Sequence, residues 1–434
     1  MIVPQRDGFA RIIQTLLVIS TLLGASCARA QAPCERAPTA LEQQLEVALA
    51  ARDRNGIRRV IAARYASSMA PTPESAERYE PLGEIQYAPR QLVQAQARFA
   101  DDAERLSWWR LQAPPAPPEI PAPLRFPARI ARAFLTLAEL DPENSERFKA
   151  NAAAAGDYLI RASTEAQFQA APFPYWRGRE GRLGMLSERM ARRLEQCGAL
   201  EAAVRNGWFV VETAPTEYYF DTGLGGEALA LLYRTTGEQR FLTTALAWAD
   251  WAHQSPLSTN WNYNAFIVGF FVEVFHATED PVWLERALDR ARFGVLPGLI
   301  QEGEDAGHFV DPHNERLAYR IIMARSLAQL SGALASARHP ALGEIEPQAQ
   351  LMIMAIENQM RANNGVNSGA GLSGLYAAIE RARLLGSVIS ASDADLRRRV
   401  LDRVAQATLR GEIDPDAGVA DAFWLLARLS SAPD

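Results

Sequence analysis

Four stretches of this 434-residue chain set aromatic rings among amides, carboxylates, histidines and arginines, each at the entrance to an apolar helical pattern. They are Ala170–Arg182 (AAPFPYWRGREGR), Thr216–Glu227 (TEYYFDTGLGGE), Ser258–Ala265 (STNWNYNA) and Glu302–Glu315 (EGEDAGHFVDPHNE). Trp and Tyr faces stack on the apolar faces of pyranose rings, while amides and carboxylates grasp hydroxyls. A sugar site is therefore the chemistry these residue types furnish. Trp176, Arg177, Tyr219, Trp261, Asn262, Tyr263, Asn264, Asn314 and Arg320 are the candidate substrate contacts.

Two carboxylates stand out as catalytic candidates. Asp221 lies in Phe220–Glu227, where either it or Thr222 can cap a helix starting near Leu224. If Thr222 caps, Asp221 is released for acid or base work. Asp311 precedes Pro312, and Asn314 is the expected cap of a helix beginning near Glu315. That leaves Asp311, His308 and His313 without a structural task. A pair of acids suits glycoside cleavage, because one protonates the leaving oxygen while the other activates water or attacks carbon. Asp221, Asp311 and His313 are accordingly the expected catalytic groups.

Other chemistries fit less well. Glu302, Glu304, Asp305 and Asp311 lack the spacing of a calcium loop. The five histidines form no HExxH or Cys/His cluster, so no metal site is expected. No Walker loop or GxGxxG element is present, and no cofactor is expected.

These stretches need helices to hold them, and helices are what the pattern supplies. Leu41–Asp53, Asn55–Arg64 and Arg90–Ala100 carry apolar residues at three- and four-residue steps. Trp208–Thr213 is the best strand candidate. The proline-rich segment 113–126, followed by Pro127, reads as an extended connector between a small helical front part and the body.

Within the body, Tyr233–Ala249 and Phe275–Ala291 align without a gap. Tyr233 matches Phe275, Thr236 matches Thr278 and Phe241 matches Trp283; Ala245 and Ala249 match Ala287 and Ala291. Phe148 and Ala152 make a fainter third copy. Each unit reads as a helix, a polar turn, an aromatic plug and an alanine-rich helix, an αα-hairpin. Less regular pairs are expected around 316–361 and 370–410, with 421–428 closing the chain. Phe270–Phe275 reads as core, with Glu273 either a solvated position on one helix face, the favoured reading, or a buried acid pointing into the ring.

Uneven spacing and long aromatic loops favour a closed ring over a uniform solenoid. On the hairpin at 231–249 and the four loops, residues 125–434 resemble the six-hairpin (α/α) toroid superfamily of glycoside hydrolases and polysaccharide lyases. The resemblance implies an all-α toroid with the loops converging at one end. It implies hydrolysis by paired carboxylates first. The alternative is β-elimination on a uronate polymer, for which such lyases use Asn, His, Tyr and Arg. Asn262, Tyr263, Asn264, His313, Tyr319 and Arg320 offer a set of those types. A non-catalytic glycan-binding protein on the same scaffold is a third reading.

Arg6 and Arg11, an uncharged run over 12–24 and Ala28-Arg29-Ala30 read as a secretory signal cut after Ala30, which implies export to a periplasm or medium. Cys27 after Gly-Ala-Ser would be the point of lipid attachment, but Gly24 stands where Leu is usual. Removing residues 1–30 takes three arginines and one aspartate, so a net charge of −6 becomes more acidic by two. Without a basic block, nucleic acid and anionic membrane are not expected partners. Cys34 and Cys197 then remain, either as a disulfide joining the tail to the body or as two separate thiols. The domains expected are signal 1–30, helical region 31–112, connector 113–127 and toroid 128–434.

Overall fold

The structure is a computed structural model that describes residues 39–65, 79–81, 124–175, 177, 181–211, 218–362 and 365–367. It is largely helical. The signal, Cys34, the Arg90–Ala100 helix, most of the connector, Trp176 and the hairpins expected beyond 368 lie outside those residues.

Among the described residues, four helical hairpins follow one another. They are Arg125–Leu140 with Ser145–Ala166 (α3, α4), Tyr219–Thr236 with Gln239–Gln254 (α7, α8), Trp261–Thr278 with Pro281–Gly294 (α9, α10), and Leu317–Ser336 with Leu342–Ala362 (α11, α12). Ahead of them stands a smaller hairpin, Ala40–Ala50 with Arg54–Tyr65 (α1, α2). Between the first two come Gly181–Gln196 (α5), Leu200–Ala203 (α6) and a small antiparallel sheet of Phe173–Pro174, Trp208–Phe209 and Val204–Arg205, in that order. The expected strand at 208–213 is thus two residues long. Tyr79–Pro81 pairs with Gly365–Asn367.

The first helix of each large hairpin is an inner one. α3 packs on α7, α7 on α9 and α9 on α11, while α4, α8, α10 and α12 each back their own partner. Burial explains the arrangement. α9 is apolar almost all round, with twelve buried positions from Trp261 to Val274, as a helix enclosed by neighbours requires. α10 buries only one stripe, built on Trp283, Leu284, Ala287, Leu288 and Ala291. The row is also curved. Arg132 of α3 and Arg325 of α11 both reach Glu227 of α7, which a flat row would keep apart.

The aligned repeat is reproduced bond for bond. Gly237 and Glu279 are both left-handed, at φ 73° and 57°, and their N–H groups donate to Tyr233 and Phe275. Thr236 and Thr278 hydroxyls donate to Leu232 and Val274, then accept from Glu238 and Asp280 N–H. Phe241 and Trp283 are buried plugs, and all four matched alanines are fully enclosed.

Helix α3 starts at Arg125, inside the stretch expected to be extended. Pro127 sits in its first turn, where a missing N–H breaks no intrahelical bond.

Candidate active site at the inner-helix entrances

The inner helices all enter from one end. Arg125, the first residue of α3, meets Asp221, the third of α7. Phe220 stacks on Phe266 of α9 with ring centroids 4.3 Å apart. Asn262, the second residue of α9, bonds Asn314 in the loop just ahead of α11. Parallel inner helices thus bring the second, third and fourth aromatic stretches together.

Asp221 does not cap a helix at Leu224, because α7 begins five residues earlier. Its carboxylate accepts from Arg125 Nε at 3.1 Å, Arg125 Nη2 at 3.0 Å and Arg125 N–H at 2.9 Å. The same guanidinium lies 3.9 Å over the Phe220 ring. Thr222 is no cap either; its hydroxyl accepts from Ala171 N–H.

Asp311 is 1 % exposed. It accepts from Trp261 Nε1 at 2.8 Å, from Asn314 N–H at 2.9 Å and from Asn314 Nδ2 at 3.1 Å. Asn314 is not the cap of α11, which starts at Leu317 with Arg316 in the cap position. Its Oδ1 accepts from Asn262 Nδ2 at 2.9 Å, and Asn262 Nδ2 also donates to Asn260 Oδ1 at 2.8 Å. Asn260 Nδ2 in turn faces His313 Nε2 at 3.5 Å. His313 is half-buried, with its ring 5.0 Å from that of Tyr319. Burial lowers its pKa from 6.5, nearby Arg316 adds to this, and Asp311 opposes it.

Asn264 is the fourth residue of α9. That helix begins at Trp261, and Asn264 is fully buried inside it. Its Oδ1 accepts from Ser258 N–H, and its Nδ2 donates to the Ser258 and Gly294 carbonyls, all near 2.9 Å. A methyl on Gly294 would lie 2.7 Å from the Asn264 Cγ, so only glycine allows this approach.

Trp261, Tyr219 and Arg320 are fully enclosed as well. The Trp261 indole is spent on Asp311, and the Tyr219 hydroxyl donates to the Pro256 carbonyl. Arg320 binds Glu315 at 3.4 Å and donates to Gln359, while Glu315 holds His308 Nδ1 at 2.6 Å and Phe309 N–H at 2.7 Å. These contacts brace the loop bearing Asp311, His313 and Asn314. Tyr263 is half-buried. Arg177 is exposed and pairs with Glu195 and Glu188 of α5. Cys197 is disulfide-bonded, with its partner outside the described residues.

Deeper in the curved row lies a polar layer that pattern-reading missed. Glu227 accepts from Arg132 at 3.2 Å, from Arg325, and from Gln329 Nε2 at 3.0 Å. Glu273 is not solvated: its side chain is 12 % exposed and pairs with Arg234 at 2.9 Å. Burial pushes its carboxyl up, and the charge of Glu227 pushes it further. One signal was available, the spacing of Arg125, Arg129 and Arg132 at i, i+4 and i+7, which puts three cations on one helix face.

Among the described residues, no group of three or more His, Cys, Asp or Glu is arranged to hold a metal ion. Nor is any described helix long and apolar enough to cross a membrane.

No family model matches this chain, and no curated protein matches it. Among solved structures it is similar to the crystal structure of an unsaturated glucuronyl hydrolase specific for heparin. The match has 11% identity over 79% of this chain and 96% of that one, with a TM-score of 0.36, a distant likeness.

Proposed function

We propose that this protein is an exported carbohydrate-active enzyme that cleaves an acidic glycan at the entrances of its inner helices, on a closed ring of helical hairpins. One observation carries the reading. Arg125 with Asp221, the amides of Asn260, Asn262 and Asn314, and His313 beside Tyr319 meet at a single end of the fold. Arg316, beside His313 at the start of α11, suits a sugar that carries a carboxylate.

β-Elimination on a uronate is the chemistry this geometry supports best. It needs a base to take the proton α to the carboxyl, and donors to stabilise the dianion that follows. His313, held toward its neutral form by burial, is the base. Tyr319 is the proton donor to the leaving oxygen. Asn260 and Arg316 face the substrate carboxylate, while Asn262 is spent on Asn260 and Asn314. Asp311 is removed from the acid pair, because Trp261 and Asn314 already occupy its oxygens. Trp261, Tyr219, Asn264, Asn314 and Arg320 are supports, while Tyr263 and Trp176 remain as sugar platforms.

Hydrolysis is the second reading, favoured by the place of Asp221 in the first turn of α7. Its carboxylate, held by the Arg125 guanidinium, would serve as a base or a stabiliser of positive charge.

The test is incubation with uronate-containing and neutral glycans. Elimination leaves an unsaturated sugar end that absorbs in the ultraviolet, whereas hydrolysis leaves only a new reducing end. His313→Ala should slow elimination by about 10²–10⁴-fold. Reducing ends without ultraviolet absorbance, lost in Asp221→Asn, would establish hydrolysis instead. Binding without turnover on every glycan would rule out both.

A further inference from the structure

The side chains from Asp311 to His313 form a chain of hydrogen bonds in which every amide has one permitted orientation. An ionised carboxylate only accepts. Asp311 therefore requires Asn314 to turn its NH2 inward, at 3.1 and 3.3 Å from the two oxygens. Asn314 Oδ1 then faces Asn262, which must present its own NH2, and this group serves Asn314 Oδ1 and Asn260 Oδ1 together. With its oxygen so engaged, Asn260 has only NH2 to offer His313 Nε2. Trp261 Nε1 anchors the origin of the chain, since indole N–H only donates and holds Asp311 in acceptor form.

We infer that Asp311 is a positioning residue that acts through Asn314, Asn262 and Asn260 to hold His313 in its Nδ1–H tautomer, with the Nε2 lone pair accepting from Asn260 at the inner-helix entrance until a substrate displaces that amide. Imidazole tautomers are set by the partner of the second nitrogen. The partner here is a donor, so Nε2 is the acceptor and Nδ1 carries the proton. The charged and titratable groups around His313 are Asp311 on its own loop, Arg316 at the start of α11 and Tyr319 within it; from α9 it meets the neutral amide of Asn260. The consequence for catalysis rests on the elimination reading, in which Nε2 is the base. The tautomer does not, and it would stand if the protein proved to hydrolyse or only bind its glycan.

The experiment is nitrogen–proton NMR of the full chain labelled at histidine, with His313 signals assigned by their absence in His313→Gln. In the wild type at neutral pH, Nδ1 should show the protonated nitrogen shift and Nε2 the unprotonated one. Asn260→Asp puts an acceptor in place of the donor, at a half-buried position where the fold is little disturbed. His313 should then move its proton to Nε2 and titrate at higher pH than in the wild type. Asp311→Asn, which puts an NH2 donor in place of one acceptor oxygen, should leave a mixture of both tautomers. An Nε2–H tautomer in the wild type would overturn the inference. So would an unchanged tautomer and titration in Asn260→Asp, whatever Asp311→Asn does to folding. Elimination activity is measured alongside. Loss of the tautomer without loss of activity would refute His313 as base and leave the hydrogen-bond chain standing.

Discussion

Glu227 is the side chain on which the interior most depends. It faces two buried arginines and an amide from two other helices. Removing one partner of such a pair leaves charge in a dry site, at a typical cost of about 3–5 kcal/mol. Glu227→Gln should lower stability by that order, read as the midpoint of urea unfolding. Asn264 makes a second residue-scale case. Asn264→Ala strands the Ser258 N–H and the Gly294 carbonyl in a buried corner, at about 2–3 kcal/mol. The same variant tests whether Asn264 is a support. A support lowers stability and kcat together, whereas a sugar contact raises KM with stability intact. The capping expected of Asn314, and of Asp221 or Thr222, failed for a common reason. A short polar side chain before an apolar run can close a helix end or reach another element, and local sequence weighs only the first option.

At the scale of elements, the contact between α7 and α9 sets how near the site residues come. A methyl at Gly226 would overlap the buried Phe270 ring, and one at Gly223 would lie 2.7 Å from Phe266 Cβ. Alanine at Gly226 gains about 1 kcal/mol in helix propensity. Overpacking against a fully enclosed ring typically costs about 1–3 kcal/mol, so Gly226→Ala should be a net loss. It should also push α7 from α9 and reduce activity, and unfolding midpoints with turnover on the same substrate check both. The hairpins themselves were legible beforehand. Threonine, polar turn, aromatic plug and alanines recur in register because one turn geometry is used twice. Helix starts were less legible. α7, α9 and α11 each begin at a residue whose side chain makes no capping bond, so tertiary contacts place those ends instead.

For the whole molecule, pH couples the histidines and the front hairpin to stability. His253, His276 and His313 all have pKa values lowered chiefly by burial. Below pH 6.5 the unfolded chain takes up protons that the folded one refuses. Their contribution is complete above 6.5 and is lost as pH falls through the lower folded values. Stability measured from pH 7.5 to 5.5 should therefore drop less in a variant with all three replaced by Gln. Glu273 works the other way, its raised pKa favouring the folded state on acidification. The hairpin of α1 and α2 is fastened to α10 and α12 by Arg54 and Arg292 on Glu344, at 2.6 and 2.9 Å, and by Arg52 over Phe293. Burial raises the Glu344 pKa, but these arginine hydrogen bonds outweigh it and leave it lowered. The clamp thus holds above 4.5 and is released as pH falls below that value. Limited proteolysis should cut near residues 51–53 at pH 3.5 and spare them at pH 7.

Pattern along the chain was enough to establish a helical body, its repeated turns and three of the polar, aromatic stretches that meet at one end of it. These depend on neighbours three, four or seven residues apart, which the chain displays directly. It was not enough to separate what faces a substrate from what supports it. Trp261 and Tyr263 look alike in one line of sequence, yet one indole is fully enclosed on Asp311 and the other ring is half-open. Glu227, Arg132 and Arg325 are about a hundred residues apart at each step and meet only because the inner helices curve round one interior. Burial and partnership are properties of that interior, and the carboxylates, amides and histidine took their tasks from it.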